Sequence, residues 1–133
     1  MKRRDGIILA VVLLAALLCL VGRLVFGPRI FQGTTPLLRI TVSGKLHSET
    51  PLNQQGEIVL QQPDGSRNVV RYYPGGFEMG ESSCPNQDCI HQGAVTCDNV
   101  QTRPLMNQII CLPNRVVLEM VNAGESRLLE VAP

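Results

Sequence analysis

The chain beyond Gly33 lacks an excess of positive charge. From Thr34 to the end it carries seven basic and ten acidic residues, a formal charge of −3, although all 133 residues together sum to +1. Nucleic-acid binding requires clustered basic side chains that replace the counterions at phosphates. The arginines of this chain are scattered among more numerous carboxylates, so we expect no nucleic-acid partner.

The chain also lacks the residues of a recognisable catalytic site. It has no tryptophan and only two histidines, His47 and His91. His91 follows Cys89 closely and is the one candidate base for a cysteine nucleophile, but closeness in sequence does not provide the geometry of a catalytic triad. Ser82 and Ser83 are not flanked by the glycines of a nucleophile elbow. We predict no catalytic residues and no enzymatic activity.

One long hydrophobic run is present near the N-terminus. Ile7 to Gly22 contains no charge, and Leu24 to Phe26 extends the run past Arg23 to about twenty residues, the length that crosses a bilayer. The run also lacks polar positions at helical spacing, which a helix buried in a soluble protein would show. We therefore predict a transmembrane helix at 6–26.

The residues around this run predict that it is retained as an anchor. No small-x-small cleavage site follows it, and Cys19 is preceded by Leu18, which is too large for lipoprotein processing. The predicted organisation is a cytoplasmic tail at 1–5, the helix, a tether at 27–36 and one domain at 37–133.

The charges that flank the run predict its direction. Lys2, Arg3 and Arg4 precede it, whereas Arg23 and Arg29 follow it. Because positive residues favour the cytoplasmic side, we expect the N-terminus inside and the domain outside the cytoplasm, at the cell membrane. The margin is about one charge, so the inverted chain with a cytoplasmic domain stays open.

Short β-prone runs separated by turn residues fill the domain, and no segment after Phe31 supports a long amphipathic helix. The stretch from Glu78 to Met106 is expected to be irregular, with one short helical turn. Each turn is expected to return the chain antiparallel. The predicted strands are Leu37 to Val42, Glu57 to Gln61, Asn68 to Tyr73, Gln108 to Leu112, Arg115 to Val121 and Arg127 to Val131.

Four cysteines lie in the second half of the chain: Cys84, Cys89, Cys97 and Cys111. In an oxidising compartment they favour at least one disulfide. Four cysteines permit three complete pairings, and the spacing does not choose among them. A redox-active pair, a metal site and unpaired thiols remain open alternatives.

Metal ligation can be tested against known patterns. Cys89 and His91, followed by Cys111 and Asn114, are similar to the two boxes of a Rieske iron–sulfur protein, but that cluster needs two imidazoles on one iron and the second position is asparagine. A zinc ribbon needs two tight Cys-x2-Cys knuckles, whereas gaps of four, seven and thirteen residues separate these cysteines. We therefore expect no metal site and no cofactor.

Two blocks of the sequence carry a family resemblance. They run from Cys84 to Gly93 and from Ile109 to Leu118, and together they resemble the membrane-anchored proteins, common in Firmicutes, that contain a domain like the second domain of the antitermination factor NusG. The motif residues are Cys84, Pro85, Cys89, Gly93, Cys111, Leu112, Pro113 and Asn114.

The resemblance implies an all-β fold, a small antiparallel barrel or sandwich. Cys84, Cys89 and Cys111 occupy the family's cysteine positions and Cys97 is an addition, so the resemblance implies one disulfide plus one buried thiol. It does not imply a role in transcription, because a fold does not determine a function. Relatives are associated with flavin-dependent membrane electron transfer.

These patterns lead to one expected function and one alternative. We expect a non-catalytic binding or assembly module, held at the outer membrane face by its anchor, with a protein partner whose identity the sequence does not reveal. The alternative is a thiol–disulfide or metal-dependent accessory of flavin-linked membrane electron transfer.

Overall fold

A computed structural model describes residues 2–26 and 34–125 of the chain. The chain divides into two compact units, Met1–Gln32 and Gly33–Pro133. Most of the predicted tether and the predicted strand from Arg127 to Val131 lie outside the described residues.

The described part of the first unit is one helix, α1, at Arg3–Phe26. Its aliphatic residues favour a helix, and it contains no proline. The Asp5 carboxylate accepts a hydrogen bond from the backbone N–H of Lys2 at 3.2 Å, and Asp5 and Arg23 have the charges that the helix dipole favours at its two ends. None of its side chains is buried, and the helix is long and apolar enough to cross a membrane. It begins three residues before the predicted start.

In the second unit, the elements within residues 34–125 are eight strands and one short helix. They are β1 Pro36–Val42, β2 Lys45–Pro51, β3 Gly56–Gln61, β4 Arg67–Tyr73, β5 Gly76–Ser82, α2 Asp88–His91, β6 Val95–Thr96, β7 Gln108–Cys111 and β8 Val116–Asn122. The prediction of an all-β antiparallel domain is confirmed.

The strands form two four-stranded antiparallel sheets, in the orders β2-β1-β8-β7 and β3-β4-β5-β6. In the first sheet Leu38 pairs with Met120, and Leu118 lies between Ile40 and Ile109. These side chains are at most 1% exposed, so this face of the sheet lies in the core. Alternate residues of a strand share one face, and the apolar spacing of β1 and β8 therefore sets their register.

The second sheet contributes the other half of the core. Phe77 on β5 and Val70 on β4 are both fully buried, and burial of a large apolar side chain stabilises the fold by about 1.5–3 kcal/mol. The β4–β5 register shifts between Val69 and Val70, where the pairing skips Gly80 of β5, and both valines are buried. A bulge of this kind interrupts the usual alternation of inward and outward side chains.

Three strands, β2, β5 and β6, were not predicted, and the expectation of an irregular stretch from Glu78 to Met106 is partly wrong. β5 continues to Ser82, because its backbone pairs with β4 although glycines and carboxylates interrupt its apolar pattern. β2 is an exposed edge strand of mostly polar residues, which leaves no hydrophobic alternation to detect. The expected short helical turn in this stretch is α2.

Candidate functional site

Three cysteines meet where the two sheets approach each other. Cys84 follows β5, Cys89 lies on α2, and Cys111 is the last residue of β7. Their Sγ atoms all lie within 4.8 Å of one another, and those of Cys84 and Cys89 are 3.6 Å apart. Each residue is at most 2% exposed. We call these three residues the thiol cluster.

The other two cysteines lie elsewhere. Cys97 follows β6 and its thiol lies 4.0 Å from the sulfur of Met120, while Cys19 lies on α1. Among the described residues, which include all five cysteines, no disulfide is formed. The structure thus separates Cys97 from the other disulfide candidates, and the predicted disulfide stays a prediction.

Hydrogen bonds from two glutamines position α2 and its cysteine. Gln87 starts the helix in the left-handed conformation at φ 56°, and its side-chain amide donates to the carbonyl of Ser82 at 2.7 Å and to that of Cys84 at 2.6 Å. Gln92 at the other end donates to the carbonyl of Ile110 at 2.8 Å and accepts from its N–H at 2.9 Å. The two glutamines therefore fix α2 to the end of β5 and to β7.

A buried polar network lies beside the thiol cluster. Asn114, in the β7–β8 turn, donates from its side-chain amide to Asn68 Oδ1 on β4 at 2.8 Å and lies 3.4 Å from Ser82 Oγ. Asn68 in turn donates to Ser82 Oγ at 3.0 Å. Ser82 Oγ lies 3.7 Å from Cys111 Sγ, so the network joins both sheets to one thiol of the cluster. Buried polar groups that are paired in this way specify a single packing of the core.

The thiols of Cys84 and Cys89 do not ionise alike. Burial raises the pKa of Cys89 to about 12. Burial also raises the pKa of Cys84, but hydrogen bonds with Ser82, Cys89 and Cys111 outweigh it, so the net pKa lies below the ordinary thiol value. Cys84 therefore ionises before Cys89, because hydrogen bonds from its neighbours stabilise its thiolate.

A pocket of ≈ 220 Å³ opens next to the cluster. Cys89 and Cys111 form part of its wall, and Leu105 and Leu112 line it. Leu112 is 79% exposed and Leu105 39%, so the pocket is bordered by apolar side chains that contact solvent. The exposed carboxylate of Asp88 also borders it.

The remaining motif residues have structural roles or lie at the surface. Gly93 adopts φ 73° after α2, a conformation that favours glycine at the end of a helix. Pro85 and Pro113 are exposed, and so is His91, which does not belong to the thiol cluster. Asn114, which stands where a Rieske protein requires histidine, is committed to the buried network.

Sequence reasoning missed the residues that hold the cluster together. Gln87, Gln92 and Ser82 have no distinctive pattern, because their partners are backbone groups and thiols that come from other elements. Asn68 did have a signal: it is a polar residue directly before two valines in a predicted strand. Its burial explains that exception.

Comparison with known proteins now adds to this geometry. A family model described as NusG domain II matches residues 7–124. The chain belongs to the NusG domain II family. The match covers the thiol cluster, the pocket and most of α1, so the predicted resemblance is confirmed. No curated protein matches the chain.

Solved structures that are similar to this chain come from several bacteria. The Lin0431 protein from Listeria innocua is 18% identical with a TM-score of 0.56, and the match covers 67% of this chain and 98% of that chain. A DUF1312 family protein, EF3258 from Enterococcus faecalis, is 16% identical with a TM-score of 0.58, covering 67% and 99%. A DUF1312 family protein from Ruminococcus gnavus is 30% identical with a TM-score of 0.48, covering 65% and 99%. The first two likenesses support the β fold of this member of the NusG domain II family.

Proposed function

We propose that this protein is anchored in the membrane by α1 and that its β domain lies outside the cytoplasm, where it binds a protein partner without catalysing a reaction. The observation that carries the binding role is the pocket bordered by Leu105 and Leu112. Exposed apolar side chains that are grouped around a concave surface are typical of protein interaction sites.

The size of the pocket favours a protein side chain as its occupant. Its volume of ≈ 220 Å³ is below the roughly 300–1,000 Å³ of most small-molecule sites. An apolar anchor residue of a partner protein would be desolvated between the two leucines. Asp88 at the border favours a partner with a basic residue near that anchor.

The anchoring role is supported by α1. Its 24 residues include many aliphatic side chains, and none is buried by the protein. Transfer of apolar surface out of water stabilises by about 25 cal/mol per Å². A helix of this length and composition is therefore far more stable in a bilayer than in water.

Site-specific photocrosslinking in intact membranes tests the binding role. A photoreactive leucine analogue at position 112 is expected to capture one partner of defined mass, whereas the same analogue at position 46 is not. Leu46 is the matched control, since it is 62% exposed but lies on the edge strand β2. When the photoreactive analogue is placed at position 105 instead, the substitution Leu112→Asp should abolish capture of the partner. Equal capture from positions 112 and 46, or no capture from position 112, would contradict the proposal.

A second candidate function is favoured by the thiol cluster. Cys84 and Cys89 are close enough for thiol–disulfide exchange, the chemistry of an accessory to membrane electron transfer. The Cys84 thiolate would attack a partner disulfide and release one partner thiolate; attack by Cys89 on the mixed disulfide would then release the second. Two electrons reach the partner and two protons leave the cysteines. Measured exchange with a small disulfide would distinguish this function, which the burial of both residues opposes.

A further inference from the structure

We propose that the thiol cluster is a binding site for one thiophilic d10 metal ion, Zn²⁺ or Cu⁺, with Cys84, Cys89 and Cys111 as its three protein ligands. Soft thiolate ligands select ions of this type over the oxygen-seeking cations. The inference goes beyond the partner-binding function proposed above and is tested separately, by metal binding to the isolated protein.

The distances between the sulfurs fit a common metal ion. A Zn–S bond of about 2.3 Å places the sulfurs of a tetrahedral site about 3.8 Å apart, and trigonal coordination places them at about 4 Å. Cys84 and Cys89 are separated by 3.6 Å, and all three Sγ atoms lie within 4.8 Å of one another. A disulfide instead requires an S–S bond of about 2.05 Å, so two of the sulfurs would have to move closer together to form one.

The cluster is held in place by hydrogen bonds that do not depend on the thiols. Gln92 ties α2 to β7 by two hydrogen bonds with Ile110, at 2.8 and 2.9 Å, and thereby fixes Cys89 relative to Cys111. Gln87 ties the start of α2 to the carbonyl of Cys84 at 2.6 Å. Three ligands from separate elements are thus positioned before any ion binds, which lowers the entropy lost on binding.

Polar groups around the cluster suit three negatively charged sulfurs. The Ser82 hydroxyl lies 3.7 Å from Cys111 Sγ, and the Gln87 amide lies 3.9 Å from Cys84 Sγ. Donors next to metal-bound thiolates orient the ligands and stabilise their charge.

The adjoining pocket borders the cluster. Cys89 and Cys111 both form part of its wall, so the pocket lies between solvent and two of the three ligands. The same opening leaves room for a fourth ligand, which tetrahedral Zn²⁺ requires and trigonal Cu⁺ does not. Cys97 lies beside Met120, outside the group that could hold the ion.

The test is metal titration of the full chain, purified in detergent and fully reduced under anaerobic conditions. Zn²⁺ and Cu⁺ are titrated separately against chromophoric chelators, and Co²⁺ serves as a spectroscopic probe for sulfur coordination. We expect one ion per chain and sulfur-to-cobalt charge-transfer absorption. Tight binding of Zn²⁺ alone or of Cu⁺ alone supports the site and identifies its ion; binding of neither overturns the proposal.

Variants assign the ligands. Cys84→Ser, Cys89→Ser and Cys111→Ser should each weaken binding by about tenfold or more, whereas Cys97→Ser, the matched control, should not change it. Affinity that is unchanged in Cys111→Ser would overturn the assignment.

Alkylation of the wild-type chain keeps the test valid if a serine variant fails to fold. When the chain is exposed briefly to denaturant together with the alkylating reagent, bound metal should protect Cys84, Cys89 and Cys111 from alkylation but should not protect Cys97. Equal alkylation of all four cysteines would overturn the site. A Cys84–Cys89 disulfide would use two of the three ligands. Its presence in the chain as isolated, stable to mild reductants, would therefore also overturn the proposal.

Discussion

Asn114→Ala is expected to destabilise the domain by about 2–4 kcal/mol. The substitution removes the hydrogen bond to Asn68 Oδ1, whose net contribution is about 1 kcal/mol. It also leaves that fully buried oxygen without the donor from Asn114, which costs a further 1–3 kcal/mol, roughly. The effect is large because the bond crosses from the β7–β8 turn to β4 and both residues are at most 5% exposed.

The reverse substitution is expected to be milder. In Asn68→Ala the freed Asn114 amide still lies 3.2 Å from Ser83 Oγ and 3.4 Å from Ser82 Oγ, so it keeps acceptors. The double variant should be less unstable than the sum of the two single variants, by a coupling energy of about 0.5–3 kcal/mol.

Urea unfolding of the full chain in detergent measures these differences. Tyr72 and Tyr73 lie on β4 together with Asn68, and their fluorescence is not masked because the chain has no tryptophan. Asn86→Ala is the matched control: its amide bonds to the exposed Asp88, so a change within about 0.5 kcal/mol is expected. If Asn114→Ala is no more unstable than Asn86→Ala, or if the two network variants simply add, the cross-sheet network has been misassigned.

Two further predictions follow from the packing and from the thiols. Gly76→Ala should destabilise the domain by about 1–3 kcal/mol, because the new Cβ would lie 2.8 Å from the Val95 carbonyl oxygen. Gly80→Ala should destabilise less, because the three atoms nearest to its new Cβ all belong to the flexible Arg71 side chain. Amide exchange at β5 and β6 compares the two variants. Stability of the reduced chain should fall as pH rises from 9 towards about 12, because the unfolded Cys89 thiol ionises while the folded one stays protonated. Each pH unit lowers the free energy of unfolding by at most about 1.4 kcal/mol through this group. In urea titrations at several pH values, Cys89→Ala should reduce the dependence of stability on pH. An unchanged dependence would contradict the raised pKa of Cys89.

The strands with strong turn chemistry were predictable from sequence. Ser43 and Gly44 both have positive φ and form the tight turn that the sequence predicts after β1. β2 and β5 were not predictable in the same way, because their pairing with β1 and β4 determines their conformation more than their own composition does. Local pattern therefore identifies strands with a clear apolar alternation better than the polar β2, or than β5, whose pattern is interrupted by glycines and carboxylates.

The candidate site was only partly predictable. The sequence identifies the cysteines, but the gathering of Cys84, Cys89 and Cys111 depends on the fixing of α2 to β7 by Gln92. Spacing alone argued against a metal site, since no tight Cys-x2-Cys pair is present. It takes the tertiary structure to show that widely spaced cysteines share one small volume while Cys97 does not.

The proposed function requires the β domain to lie outside the cytoplasm. Two single substitutions, Lys2→Cys before α1 and Gln54→Cys in the exposed β2–β3 loop, can be labelled with a membrane-impermeant maleimide in cells with an intact cytoplasmic membrane. The unsubstituted chain is the control for its own cysteines. We predict labelling of position 54 in intact cells and of position 2 only after permeabilisation. Labelling of position 2 alone in intact cells would place the domain in the cytoplasm and contradict the account.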